Sequence, residues 1–274
     1  MTKSQLMIEV VTPFFLFFFC FPSSNVFSGE LSVDEIVEKT NHISYYQGKD
    51  GRAQVSMTIT DSQERKRSRL FVILRRDEQE KVKETDGDQK LYVYFIRPAD
   101  VNKMVFMVWK HRARDDDRWL YLPALDLVKR ISSTDKRTSF TGSDFFYEDV
   151  SGRAINEDTH EILEVTDTFY VLKNTPKEPD SVEFSSFTMW IHKETFLPIK
   201  TVFFDKQGEQ HRVYEALKVE MIQGFPTVTK SRMKNVKTGG ETLMEYGNVE
   251  YNLELPEDIF TERHLRKAPR NYLK

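Results

Sequence analysis

His111 stands four residues ahead of an acidic run, Asp115, Asp116 and Asp117, and imidazole beside carboxylates raises metal ligation as the first chemistry to weigh. The spacing argues against it. Consecutive residues of an extended chain point alternately to opposite faces. A single run therefore does not supply a closed ligand set, and a solvated turn is the expected reading. His42, His160, His192, His211 and His264 are scattered and form no H-E-x-x-H pattern. Nucleophilic catalysis finds no better support: there is no G-x-S-x-G elbow, no phosphate loop and no dinucleotide fingerprint. Acidic residues abound, yet no pair singles itself out as acid and base. The expectation is a protein without catalytic residues, without a cofactor and without a metal.

The elements that would position any site begin after an apolar leader. Lys3 is followed by the run Val10–Phe21, too short to span a bilayer comfortably and shaped like the hydrophobic region of a secretory signal. Val26 and Ser28 offer small side chains for cleavage after Ser28. Residues 1–28 are therefore expected to be a signal peptide, with an uncleaved anchor as the alternative, and residues 29–274 a single domain delivered to the periplasm. The one cysteine, Cys20, falls inside the leader, and bulky Phe19 before it argues against acylation. A mature chain without thiols has no disulfide framework and is held by packing.

The chain has 274 residues, of which 39% are hydrophobic and 13% aromatic, enough for a substantial core rather than disorder. A net charge of -3 gives no basic footprint for nucleic acid. The basic cluster Arg65–Arg69 carries no interleaved aromatic for base stacking. A first helix is expected from "LSVDEIVEKTNHISYY", where Ser32 and Glu35 form a capping box and Val33, Ile36, Thr40 and Ile43 make one apolar stripe. From Arg52 the period changes to two, and strands separated by turn residues continue almost to the C-terminus. A short helical turn is expected at "GSDFFYEDV", capped by Ser143 or Asp144, and a last helix at "PEDIFTERHLRK". The fold class is mainly β (α+β), a large curled antiparallel sheet with a few covering helices.

The middle strands are apolar on both faces. Leu91, Val93 and Phe95 oppose Tyr92, Tyr94 and Ile96; Met104, Phe106 and Val108 oppose Val105, Met107 and Trp109; Trp119 and Tyr121 oppose Leu120 and Leu122. Antiparallel sheets usually solvate one face, and each large apolar side chain left exposed forgoes roughly 1.5–3 kcal/mol. Two arrangements answer this pattern: a solid core, or a sheet curled around an apolar cavity.

The segment "RWLYLPALDLVKRISSTDKRTSFTGSDFFYEDV" resembles the LolA/LolB-like outer-membrane lipoprotein-sorting proteins, in particular their larger periplasmic branch. The resemblance rests on Arg118–Leu125, Val128, Arg130, Ile131, Ser139, Phe140, Gly142, Asp144 and the Tyr147-Glu148-Asp149 triplet. A hairpin in "ETFLPIKTVFFDKQGE", with Leu197, Pro198, Lys200, Asp205 and Gly208, adds to it. It implies a half-open β-barrel with a helical lid and an apolar cavity, and a periplasmic carrier or receptor for acyl chains of lipids or lipoproteins. It implies as partners an inner-membrane transporter or an outer-membrane acceptor, and no chemistry. The same fold serves envelope sensors and adaptors, which stays as the alternative, and a lipid hydrolase is the third possibility. A monomer is expected.

For the site, Phe95, Phe106, Trp109, Trp119, Tyr121, Phe184, Trp190 and Phe203 are expected to line the cavity, because they sit on strands with too few helices to cover both faces. Phe145, Phe146 and Tyr147 are the expected lid, with the neighbouring acids facing water. Arg130 is expected either to meet an anionic headgroup or to pair with Asp144, Glu148 or Asp149.

Overall fold

A computed structural model of the chain describes residues 31–78 and 87–274. The expected leader, its cleavage point after Ser28 and Cys20 lie outside the described residues. The first helix, α1 (Val33–Tyr45), begins where the capping box places it: the Glu35 N–H donates to Ser32 Oγ at 3.3 Å and the Ser32 N–H donates to Glu35 Oε2 at 2.8 Å. It stops before Gly48, whose φ of +67° suits glycine and where a Cβ would press on Asn252 Oδ1 at 3.1 Å.

Strands follow in chain order: β1 (Asp50–Thr60), β2 (Lys66–Asp77), β3 (Gln89–Arg97), β4 (Val105–Lys110), β5 (Asp117–Leu122), β6 (Leu127–Arg130), then α2 (Tyr147–Ser151), β7 (Asp158–Val165), β8 (Phe169–Pro176), β9 (Phe184–His192), β10 (Pro198–Asp205), β11 (Gln210–Ile222), β12 (Phe225–Asn235), β13 (Glu241–Tyr251) and α3 (Arg263–Arg266). All thirteen strands form one antiparallel sheet in the order β6-β5-β4-β3-β2-β1-β13-β12-β11-β10-β9-β8-β7. The mainly β class read from the alternation is therefore the observed one. Two consecutive meanders meet at the β1–β13 pair. The connection 131–157 leaves one edge strand, β6, and reaches the other, β7.

That connection crosses the inner face of the sheet. Its Ile131, Phe140, Phe145 and Tyr147 are buried against Val55, Met57, Phe71, Val93, Phe95 and Phe106. Phe140 meets four rings, Phe71, Phe95, Phe106 and Tyr147, with centroids 5.4–5.9 Å apart, the spacing aromatic pairs prefer. The short helix α2 starts at Tyr147, later than a cap at Ser143 or Asp144 would place it. Asp149 turns back to accept the Phe146 N–H at 2.7 Å, while Asp144 is bonded by the Thr242 hydroxyl at 2.7 Å.

The outer face of β2–β5 is covered by the C-terminal segment. Leu255, Ile259, Phe260 and Leu265 pack on Val72, Leu74, Tyr92, Val105, Met107 and Trp119. Directed bonds fix the register: Tyr92 Oη donates to the His264 carbonyl and Trp109 Nε1 to the Phe260 carbonyl, each at 2.7 Å. The buried Asp50 carboxylate accepts the N–H groups of Leu253 and Leu255 at 2.6 and 2.7 Å. The expected single last helix is instead a turn at Glu257–Phe260 followed by the four residues of α3.

The ladder is incomplete in one place. Backbone pairing of β12 with β13 runs only from Lys234↔Glu241 to Lys230↔Glu245. Beyond it, β12 continues on β11 and β13 continues on β1. Side chains bridge the split: Thr227 Oγ1 to Tyr251 Oη at 2.8 Å, and the Tyr251 N–H to Gln223 Oε1 at 2.7 Å. Gln47, just past α1, adds a bond from Nε2 to the Pro226 carbonyl at 2.9 Å. Among the described residues no helix is long and apolar enough to cross a membrane.

Candidate functional site

Because Phe140 and Tyr147 fill the inner face near β1–β4, the space left over lies toward β8–β13. It is a cavity of about 420 Å³, within the roughly 300–1,000 Å³ usual for small-molecule sites. Three layers build it. Helix α1 presents Val37, Thr40, Ser44 and, one residue before that last, Ile43, which recur every three to four residues and so share a face. The sheet supplies Ala53, Ile73, Leu91, Leu172, Met189, Ile191, Met233 and Met244 from strands far apart in sequence. The crossing connection contributes Phe145, Val150 and Ile155. Thr227, Val228, Val249 and Tyr251 also line it, so the cavity reaches the β12–β13 split.

Most of the wall is apolar, and its charged side chains come both from the connection and from strand positions such as Arg52, Arg75, Asp158 and Glu250. Glu148 is 1% exposed and is held by Lys136 and Arg137, each at 2.8 Å, and by Arg153 at 3.3 Å. Burial raises its carboxyl, but the guanidiniums of Arg137 and Arg153 and the Lys136 ammonium outweigh that and hold it at about 2. Arg137 also meets Glu183 at 2.5 Å, and Arg153 meets Asp158 at 2.8 Å. Arg212, with no exposed side chain, pairs with Asp149 and lies over the Phe146 ring at 3.8 Å. Arg137 stacks on Phe146 and Phe184, both at 5.0 Å. Nothing in this network has a spare charge for chemistry. Among the described residues no group of three or more His, Cys, Asp or Glu side chains could hold a metal ion.

Higher in the cavity, Tyr45, Tyr214 and Tyr246 keep their phenolic protons; burial pushes all three upward, Tyr45 further through the charges of Asp149 and Glu148. They are neutral hydrogen-bonding groups in an apolar surround.

Of the eight residues expected to line the cavity, Phe203 does. Phe95 and Phe106 are on the inner face but fully buried in the ring cluster around Phe140. Phe184 lies behind Phe203, with their centroids 5.5 Å apart. Trp109, Trp119 and Tyr121 are on the outer face; the two indoles touch edge to face at 4.8 Å beneath the C-terminal segment. Trp190 alternates with the cavity residues Met189 and Ile191 and so points away, under Lys200 Nζ at 5.2 Å. The structure places these residues differently for two main reasons: the C-terminal segment covers Trp109, Trp119 and Tyr121 on the outer face, and Phe140 fills the inner face over Phe95 and Phe106.

The lid residues need the same correction. Phe145 lines the cavity, but Phe146 is clamped under two guanidiniums and Tyr147 is packed on Phe106. The acids beside them face inward, not toward water. Arg130 does not reach Asp144, Glu148 or Asp149. It is exposed, 3.4 Å from Asp117 and stacked on Trp119 at 4.9 Å. Glu148 is paired instead by Lys136, Arg137 and Arg153 and Asp149 by Arg212, while Asp144 is held by the Thr242 hydroxyl. The acidic run near His111 is likewise taken up by neighbours: Asp116 by Arg118 at 2.6 Å and Asp117 by Arg114 at 2.8 Å.

A family model described as "Uncharacterized protein" matches residues 87–267. The chain belongs to that family. No curated protein sequence matches it. Among solved structures, it is similar to a DUF1329 family protein from Desulfovibrio piger, at 28% identity and a TM-score of 0.75 over 85% of this chain and 98% of that one. It is also similar to a putative outer membrane lipoprotein-sorting protein domain from Vibrio parahaemolyticus, at 26% identity and a TM-score of 0.76 over 85% and 97% of the two chains. A LolA superfamily protein from Nitrosomonas europaea shares the fold at 19% identity, with a TM-score of 0.65 over 86% of this chain and all of that one. The fold is that of the LolA/LolB-like lipoprotein-sorting superfamily, as the central segment and the hairpin suggested, and the identities assign no individual member of it.

Proposed function

We propose that the protein is an exported, non-catalytic lipid carrier or receptor of the bacterial envelope, which holds an acyl chain of a lipid or lipoprotein in the inner-face cavity. The observation that carries this reading is the cavity itself. Its walls are mostly aliphatic and aromatic, the area a hydrocarbon chain needs and directed bonding does not supply. Similarity to the Vibrio parahaemolyticus sorting domain supports an envelope role. The leader expected at residues 1–28 supports delivery to the periplasm. On this reading, an inner-membrane transporter or an outer-membrane acceptor hands over or receives the cargo.

The test is capture of cargo in place. A photo-crosslinking amino acid at Ile43, on the cavity side of α1, is expected to trap lipid in the envelope, and one at Trp119, under the C-terminal segment, is not. Native mass spectrometry of protein purified from its own envelope should show a bound lipid at one copy per chain, an expectation set by the size of the cavity. Equal capture at both positions, or none at Ile43 with no lipid bound, would remove the reading.

A further inference from the structure

The charged side chains that line the cavity are all engaged by the protein. Arg52 meets Glu250 at 2.6 Å. Arg75 donates to the carbonyls of Tyr45, Gln47 and Gly48 and to Asp77. Arg137, Arg153, Glu148, Asp149 and Asp158 belong to the network described above, and His160 is bonded on both ring nitrogens, by Asn174 at 2.6 Å and the Ile155 carbonyl at 2.9 Å. A carboxylate or phosphate drawn into this space would meet no free cation, and an unpaired buried charge is strongly disfavoured.

The neutral polar groups behave differently. Thr40 Oγ1, Ser44 Oγ and Gln47 Oε1 are buried and have no hydrogen-bond partner. Thr40 and Gln47 are 6% and 7% exposed, and all three residues line the cavity. Thr40 and Ser44 are one helical turn apart on α1, and Gln47 follows at the β12–β13 split. The amide of Gln47 is oriented by its other end, which donates to the Pro226 carbonyl, so the free atom is an acceptor. Buried polar atoms are normally paired, and each left unpaired has a cost. Thr40, Ser44 and Gln47 thus bring three unpartnered polar atoms to the cavity from α1 and the residues just after it.

We propose that the cavity selects an uncharged amphiphile: an alkyl chain against the sheet and a neutral donor group, a hydroxyl or an amide N–H, on Thr40, Ser44 and Gln47. The inference rests on the acyl-chain reading and names the class of ligand that reading leaves open. Gln47 Oε1 accepts from the ligand, and the two hydroxyls donate to or accept from the same head. An anionic head stays outside, at the split, or is rejected.

The experiment is displacement of N-phenyl-1-naphthylamine from the delipidated full chain by 1-dodecanol, N-methyl dodecanamide and dodecanoate, at about pH 8, where the carboxylate is ionised. The alcohol and the amide are expected to compete at about tenfold lower concentration than dodecanoate, the ratio one lost buried hydrogen bond produces. Thr40→Val with Ser44→Ala keeps the shape of the wall and removes both hydroxyls, so it should shrink that ratio to about twofold or less, with thermal unfolding showing that the variant is still folded. Should the double variant fold poorly, Ser44→Ala alone is expected to shift the ratio in the same direction. Dodecanoate competing as well as the alcohol, or a ratio unchanged by the variants, overturns the proposal and leaves the acyl-chain reading standing. Failure of the wild-type chain to take up the dye overturns both.

Discussion

The two faces of β3–β5 are equally apolar and are used in unlike ways. The inner face is met by rings from the connection 131–157, and what those rings leave unfilled becomes the cavity. The outer face is met by Leu255, Ile259, Phe260 and Leu265, which arrive from the far end of the chain and seal it completely. A strand with large side chains on both sides therefore does not announce a ligand site on either. The deciding factor is the volume of the element laid on top: Phe140 and Tyr147 are bulky enough to close their part of the inner face, whereas Thr40 and Ser44 of α1 are not.

The sharpest test of this contrast is Trp119→Ala. The ring is 1% exposed on the outer face, and its loss should cost about 3–5 kcal/mol. Urea denaturation should register that cost while the affinity for an alkyl chain in the still-folded protein stays within about twofold. Weakened binding at full stability would place Trp119 on the cavity after all.

Next in size is the charged end of the inner face. Glu148→Gln removes one charge from a buried cluster and leaves Arg137, Arg153 and Lys136 facing one another. A loss of about 3 kcal/mol is expected, the low end for breaking a buried pair, because Glu157, Glu183 and Asp158 still hold the three cations. The same group sets a pH dependence. Its folded value, about 2, is depressed below its ordinary 4.5. The stability it contributes is present above about 4.5 and is lost as the pH falls through that range toward 2. Thermal unfolding followed across that window should drop more steeply for the wild type than for Glu148→Gln; parallel curves would mean that Glu148 is not the group responsible.

The smallest expected effect is Tyr92→Phe, which removes only the bond to the His264 carbonyl. It should cost about 1 kcal/mol and speed amide exchange in the C-terminal segment. Exchange unchanged in residues 253–265 would show that apolar packing alone seats the segment.

Much of the fold was legible before any coordinates. The alternation in "KLYVYFI" and "KMVFMVW" separated the two faces of β3 and β4 correctly, because a period of two leaves no freedom once one face is buried, but it did not say which face is the inner one. The Ser32–Glu35 box marked the start of α1. In the hairpin, Asp205 accepts the N–H groups of Gln207 and Glu209, and Gly208 takes a φ of +81°, as the turn chemistry required. The site was far less legible. Arg137 gathers Glu148 and Glu183, 11 and 46 residues away, so no local window contains the whole cluster, and Arg130 stood in its place because it belongs to the motif that carries the resemblance. The cover of the outer face was missed because the segment reads as one last helix with no face of the sheet assigned to it, whereas it packs as a turn and four helical residues that carry Ile259, Phe260 and Leu265. Thr40 and Ser44 carried one usable signal, hydroxyls on the side of α1 that also bears Val37 and Ile43, and Gln47, beyond the helix, carried none.

The bonds from Asp50 to Leu253 and Leu255 close a loop of more than 200 residues, and β1 finds its second neighbour only in β13. A chain made from its N-terminus therefore holds β1 half-paired until β13 has emerged. Native contacts so distant in sequence also form slowly once the chain is free. Until β13 is made the sheet stays open at β1, and the cavity comes into being only when these two strands have met.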